Sequence, residues 1–260
     1  MAIKILTNGS FISAKILADA ISAKMERRIY PTSNLSKIHP RDKIIRYGST
    51  ENILNTAIDL NLNPIEFIGL CIHKEVLADL LINNNIMSVS FYKDTVEKPE
   101  TYPVLIRTTL NASKGKGINV IYNEEEFNKT WKTNYFWTDF IKTQFELRVH
   151  VLGGEIARIF KKVPISDYEN ENEFPIRNLH NGYHFAIRNE DYYEKVFDLV
   201  SKLNEIPKIG KDCFYAMDIG WSKENKNYVV FELNTAPGLN ENTAEVYSNF
   251  LIDKLDLRNI

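Results

Sequence analysis

At 260 residues and 30.1 kDa, with 44% hydrophobic and 25% charged residues, the chain can bury a large core and lies outside the weakly hydrophobic, highly charged composition of disordered proteins. Its 32 basic and 34 acidic residues leave a net charge of -2, which excludes a global positive field for nucleic acid or an anionic membrane, and no run approaches the roughly 18 apolar residues of a membrane span. The two cysteines, Cys71 and Cys213, sit among apolar and aromatic residues without a partner at metal-ligand spacing; they read as buried free thiols, and with no secretory signal at the start the expectation is a cytoplasmic protein.

In chain order, IKILTN reads as a short buried strand, and SAKILADAISAKMER, with apolar residues three or four apart, as the amphipathic helix that follows it. DKIIRYGS is a second strand. ENILNTAIDL is expected to be a helix capped by Ser49 or Thr50, and HKEVLADLLINNN another, stopped at Asn83 to Asn85. Strand and helix alternate over this stretch, which predicts a small α/β domain with a mostly parallel sheet. The charged, proline-containing DTVEKPETYP then breaks the pattern and sets a boundary, giving domains 1–98 and 99–260. VLIRTTL and INVIY read as strands joined by the loop NASKGKG, and EEEFNKTWK as a short helix. FELRVHVLGGEIARIFKKV reads as a hairpin turning at Gly153 and Gly154. Residues 164–190 read as a long loop, a feature that in a compact domain usually carries function. DYYEKVFDLVSKLNEI is a helix, CFYAMDIGWS and NYVVFELNTA are strands across the turn KENKN, and NENTAEVYSNFLIDKLDL is a last helix.

The chemistry concentrates in YAMDIGWSKENKNYVVFELNTAPGLN. Two paired strands would bring Asp218 on one beside Glu232 and Asn234 on the next, because residues two apart share a face. Two carboxylates and an amide carbonyl make an all-oxygen donor set suited to Mg²⁺. The alternative is that both acids lie solvated on an exposed face, but their flanks YVVF and FYAM are of buried type, where an unpaired carboxylate costs several kcal/mol. On these residues, and above all on FELNTAPG, the chain resembles the ATP-grasp superfamily over most of 99–260. The resemblance implies that Glu232 bridges two Mg²⁺ ions, for which Mn²⁺ can substitute, with Asp218 and Asn234 each completing one. It further implies a nucleotide held between a small lid subdomain, 99–142, and a catalytic subdomain, 143–260.

Other segments extend the resemblance. NASKGKG, with Ser113, Lys114, Gly115, Lys116 and Gly117, resembles the flexible loop that closes over ATP phosphates, although a hairpin turn with solubilising lysines has the same composition. Arg107 stands on the preceding strand where the family commonly has Lys, keeping charge and changing geometry. Lys74 resembles a first-domain lysine that reaches the nucleotide, the alternative being a solvated helix lysine. Asp139, Phe140, Ile141 and Lys142 match the hinge that hydrogen-bonds adenine, and Glu146 the acid that holds the ribose. Arg148 is expected to point into the site from the same strand face as Glu146, or to form a cross-strand ion pair. Lys161 or Lys162 on the return strand would meet phosphate or substrate. Arg177 with Asn178 resembles an Arg and Asn pair that ribosomal-protein glutamate ligases place near the acyl phosphate. His180 and His184 lack a third ligand and do not suggest zinc. One departure stands out: D-alanine:D-alanine ligases carry an Arg two residues before the metal-binding Asp, where this chain has Ala216, so that either Arg148 or Arg177 substitutes or catalysis differs in detail. The implied activity is ATP-dependent joining of a small-molecule or peptide carboxylate to an amine through an acyl phosphate; phosphoryl transfer to a hydroxyl and a non-catalytic nucleotide-binding module are the alternatives. No Ser/His/Asp or Cys/His nucleophile is recognisable.

Overall fold

The computed structural model describes residues 2–8, 11–53, 57–93, 98–108, 117–165, 176–177, 182–187 and 194–259. Ile3–Thr7 (β1), Ile29–Thr32 (β2), Lys43–Tyr47 (β3) and Ile58–Asp59 (β4) form a parallel sheet in the order β2-β1-β3-β4. Every residue of β1 is buried, Lys4 in an ion pair with Asp42 at 2.8 Å: one face meets the helix Phe11–Met25 (α1) through Ile3 and Ile5, and Leu6 on the other meets Ile38 and Ile44.

None of the residues described in 51–60 is helical, contrary to the expectation. Among the described residues there, Ile58 and Asp59 pair with β3, and buried Arg46 holds the segment open. Its Nε donates to Asp59 at 2.6 Å, and its Nη1 to the carbonyls of Ser49 and Glu51 at 3.0 and 2.8 Å. Carbonyls taken by a guanidinium are lost to the i+4 amides of a helix.

Ile65–Ile72 (α2), an apolar helix not anticipated from the sequence, and Lys74–Asn83 (α3) follow. Both leave the parallel sheet and pack, through Phe67, Leu70, Leu77 and Leu81, against an antiparallel sheet much later in the chain. Phe91–Lys93 (β5), Val104–Arg107 (β6), Ile118–Ile121 (β7) and Phe136–Asp139 (β8) form a small antiparallel sheet in the order β5-β8-β6-β7, backed by Glu124–Thr130 (α4). Its core is Val104, Ile106, Ile121, Phe127 and Trp137, with Tyr92 stacked on Trp137 at 3.9 Å.

The large sheet comprises Phe145–Leu152 (β9), Glu155–Pro164 (β10), Tyr183–Ala186 (β11), Phe214–Ser222 (β12) and Asn227–Asn234 (β13), in the order β11-β10-β9-β12-β13. The β9–β10 hairpin turns as expected at Gly153 and Gly154, whose φ values of 62° and 85° favour glycine. β11 lies within the stretch read as loop: four of its residues pair with β10. Residues 87 and 88 run along the outer edge of β13, where Val230 N donates to Met87 O at 2.9 Å and Ser88 Oγ to Val230 O at 2.8 Å. Glu194–Asn204 (α5) covers the sheet beside α2 and α3. Glu241–Lys254 (α6) instead packs against α1, so Leu17, Ile21, Tyr247 and Leu251 share one core. No helix among the described residues is long and apolar enough to cross a membrane.

Candidate nucleotide and metal site

The candidate residues Glu146, Arg148, Asp218, Glu232 and Asn234 meet on one face of the large sheet. Arg148 on β9 lies opposite Asp218 on β12, and Asp218 lies opposite Glu232 on β13. Strand alternation adds Glu146 from β9, Asn234 from β13 and Lys162 from β10. A bulge immediately after Asp218 leaves Phe231 without a partner residue on β12. Gly220, opposite Glu146, has no side chain because there is no room for one: a Cβ there would lie 2.4 Å from the Thr143 methyl and 2.8 Å from the Phe231 ring.

Every carboxylate of this face has a cationic partner. Arg148 grips Asp218 with two hydrogen bonds, Nε to Oδ1 and Nη2 to Oδ2, both 2.7 Å. Lys162 donates to Glu146 at 2.8 Å and stands 3.9 Å from Asp218. Lys74, the first residue of α3, donates to Glu232 Oε2 at 2.7 Å, and Asn234 Nδ2 donates to Glu232 Oε1 at 3.0 Å. Arg177 lies 3.7 Å from Glu146 while donating to Thr143 Oγ1 and Thr143 O at 3.0 Å each.

Burial sharpens these pairings. Asp218 and Glu146 are only 5% and 8% exposed. Burial alone would push the Asp218 carboxyl up, yet Arg148 and then Lys162 hold it well below the usual carboxylate range. Glu232 is likewise lowered against the pull of burial, chiefly by Lys74. Burial would lower Lys162, but Asp218 and Glu146 raise it. All three groups are therefore fully charged near neutrality.

Arg107, on β6 of the small sheet, is lowered by burial and supported by the charge of Glu232. Its Nε is buried without a hydrogen-bond partner, and its guanidinium lies over Phe91 at 5.7 Å. Five cations (Lys74, Arg107, Arg148, Lys162 and Arg177) thus gather around three carboxylates (Glu146, Asp218 and Glu232), an excess of two positive charges. That surplus and the orphaned Arg107 nitrogen suit a polyanion.

The donor set also suits a hard divalent cation, since Asp218, Glu232 and Asn234 offer only oxygen and both acids are ionised. Among the described residues no group of three or more His, Cys, Asp or Glu stands as a metal cluster; the set here is two carboxylates and an amide.

Other expected residues fall as follows. Asp139 closes β8, with burial raising its carboxyl and a Tyr92 hydrogen bond opposing, and Phe140, Ile141 and Lys142 form the connector to β9. Gly117 has φ 73° and accepts a 2.9 Å hydrogen bond from Thr108 N at the base of the β6–β7 loop, while Ser113, Lys114, Gly115 and Lys116, like Asn178 and His180, lie outside the described residues. Lys161 pairs with Leu147 and stands on the opposite face, its Nζ 5.0 Å from the Phe145 ring, so Lys162 is the lysine that reaches the carboxylates.

Two neighbours of the cluster escaped the sequence reading. Phe185 of β11 lies 4.5 Å from the Arg148 guanidinium. His150, next along the same face of β9, meets the Tyr247 hydroxyl at 2.9 Å; burial, then Arg148, lowers it to about 3. The strand parity that places Glu146 and Arg148 also places His150, so that signal was present.

Residues of α1, β3 and the segment before α2 grip the turn after Asn234. The Tyr47 hydroxyl donates to Pro237 O, Leu239 N donates to Ser13 Oγ at 3.1 Å, and Asn63 Nδ2 donates to Thr235 O at 3.5 Å.

No protein-family model matches this sequence, and no curated protein matches it. Solved structures match along nearly the whole length. D-alanine–D-alanine ligase from Bacillus anthracis complexed with ATP superposes with a TM-score of 0.67 at 12% identity, covering 100% of this chain and 98% of that one. A RimK domain ATP-grasp protein from Sphaerobacter thermophilus gives 0.62 at 13% identity over 96% and 99% of the two chains. The macrocyclase MdnC from Microcystis aeruginosa, bound with precursor peptide MdnA, gives 0.60 at 12% identity over 97% and 100%. The chain has the ATP-grasp fold, with its charged face lying on the large sheet.

Proposed function

We propose that the protein is an ATP-dependent carboxylate–amine ligase. The observation that carries this reading is the pair of ionised carboxylates Asp218 and Glu232, with the Asn234 amide beside them, ringed by five cations on an ATP-grasp fold. In this reading the adenine lies against the connector Asp139 to Lys142, and Glu146 accepts the ribose hydroxyls. Lys74, Arg107, Arg148 and Lys162, together with the loop 113–117, neutralise the phosphates. Asp218, Glu232 and Asn234 would hold two Mg²⁺ ions, which supply Lewis-acid charge neutralisation at the phosphoryl oxygens.

The substrate carboxylate attacks the γ-phosphorus and breaks its bond to the β-phosphate oxygen, giving acyl phosphate and ADP. An amine then attacks the acyl carbon, phosphate departs, and the amine loses a proton to leave the amide. The protein's own side chains position the reactants and balance charge as it moves onto the transferred group; no side chain is covalently modified. Ligases of this fold whose names specify D-alanine or a precursor peptide favour a small-molecule or peptide acid. The free, buried thiols of Cys71 and Cys213 fit a reducing, cytoplasmic setting.

The test is thermal unfolding with ATP, ADP and GTP, each with and without Mg²⁺, on the native sequence and on Glu232→Gln. A ligand at 100 times its Kd stabilises by about 2.7 kcal/mol, a shift of several degrees. A Mg²⁺-dependent shift with adenine nucleotides, reduced in Glu232→Gln, is expected. No shift with any nucleotide at millimolar concentration overturns the reading. A phosphorylated product, in place of an amide with free phosphate, would convert it to a phosphotransferase.

A further inference from the structure

The ligase reading needs Asp218 and Glu232 for metal and the neighbouring cations for phosphate, yet in the structure these groups are bonded to each other. Both oxygens of Asp218 accept from Arg148, and both oxygens of Glu232 accept, from Lys74 and Asn234. A divalent cation arriving alone meets carboxylates already neutralised, with Arg148, Lys74 and Lys162 beside them. To bind, it must leave these cations, each less than one-fifth exposed, without partners beside a further positive charge, which costs more the less water reaches them. A triphosphate arriving alone meets cations already engaged, and drawing them away would leave Asp218 and Glu232 bare beside a polyanion. When both arrive, every broken pair is replaced by a new one.

We infer that Arg148 and Lys74 are resting counter-charges for Asp218 and Glu232, exchanged for divalent metal only as nucleotide phosphates receive them, so that metal and nucleotide enter the site as coupled partners. This rests on the ligase reading above and adds an order to it: the nucleotide-free protein refuses metal. Two further contacts support the exchange at Arg148. Phe185 lies 4.5 Å from its guanidinium, an aromatic contact independent of Asp218, and Lys162, 3.9 Å from Asp218, keeps a positive charge nearby when Arg148 turns away. Lys74 stands at the start of α3, so its exchange also alters the tie between the first domain and β13. Coupling of this kind is reciprocal: whatever factor metal adds to nucleotide affinity, nucleotide adds to metal affinity.

The test uses Mn²⁺ as the probe without nucleotide, measured by loss of the free-ion paramagnetic resonance signal and by thermal melting. The native protein is expected to bind no Mn²⁺ below millimolar concentration and to melt unchanged in it. Arg148→Met should melt lower, recover with Mn²⁺, and bind Mn²⁺ at least about ten-fold more tightly than the native protein, a gain of about 1.4 kcal/mol. Adding Asp218→Asn should abolish the gain. Lys74→Met, at a partly exposed pair, should give a smaller gain of the same kind and keeps the test open should Arg148→Met fail to fold. Nucleotide-free native protein that binds Mn²⁺ as tightly as the variants, or variants that gain no Mn²⁺ binding, would overturn the inference. A parallel melt of the native protein with Mg²⁺ and a non-hydrolysable ATP analogue separates the two ideas: a shift there with a failed Mn²⁺ result sinks only the exchange, whereas no shift sinks the ligase reading itself.

Discussion

Along β9 the residues Phe145, Leu147, Val149 and Val151 alternate with Glu146, Arg148 and His150, and the two sets face opposite sides of one sheet. The first set meets α2, α3 and α5 in a dry core, whereas the second carries an ion-pair network that is also nearly closed to water. One strand, with a period of two, therefore presents an apolar face and a charged one. The faces differ in how they fail: an apolar contact removed loses its own contribution, but a charge removed leaves its partner buried and unpaired.

The most severe way to break that comparison is Arg148→Met, which strands Asp218 and should cost about 4 kcal/mol in urea unfolding; replacing both partners with Met should recover most of it. The adjacent Leu147→Ala, on the apolar face and with no exposure, should cost about 3 kcal/mol through its cavity and leave Mg²⁺-dependent nucleotide binding intact. A retained Arg148→Met stability beside a lost Leu147→Ala stability would reverse the argument.

A pH series sharpens the contrast. His150 titrates ordinarily near 6.5 when unfolded but is lowered to about 3 in the fold, so below 6.5 the unfolded chain takes up a proton that the native protein refuses. Stability is complete above that value and falls with pH, by up to about 1.4 kcal/mol per unit, until the folded value is reached. The lowered Asp218 carboxyl acts in the same direction below the ordinary carboxylate range. Urea unfolding at pH 7 and pH 5 should lose about 2 kcal/mol in the native protein, and His150→Gln should flatten that part of the slope. The smallest effect belongs to a pair in the open: Lys15 and Asp19, 2.6 Å apart and both more than half exposed, should give less than about 0.5 kcal/mol for Lys15→Ala.

Much of this was legible because strands announce parity. The hairpin at Gly153, the opposed Asp218 and Glu232, and the direction of Arg148 all followed from alternation along single segments. What escaped depended on partners distant in sequence. Residues 51–60 have helical spacing, but Arg46 takes their neighbouring carbonyls. IEFIGLCI carries a single charge, Glu66, and its apolar residues Phe67, Leu70 and Cys71 are covered by the late strands. Pro31 disguises β2, an edge strand where its missing N–H matters little. Lys161 and Lys162 were indistinguishable until the register of β10 was known. The sequence leaves Arg148 as either a site residue or a cross-strand ion-pair partner, and the fold supplies the ion pair, with Asp218.

The packing of α1 against α6 bears on how the molecule is born. On the ribosome the parallel sheet and α1 emerge early, but Leu17 and Ile21 find part of their cover only when Tyr247 and Leu251 have been made. Until then an apolar stripe on α1 stays open to water and to other nascent chains, the condition in which multi-part proteins aggregate. The packing of α1 is therefore completed only once α6, more than 200 residues later in the sequence, has been made.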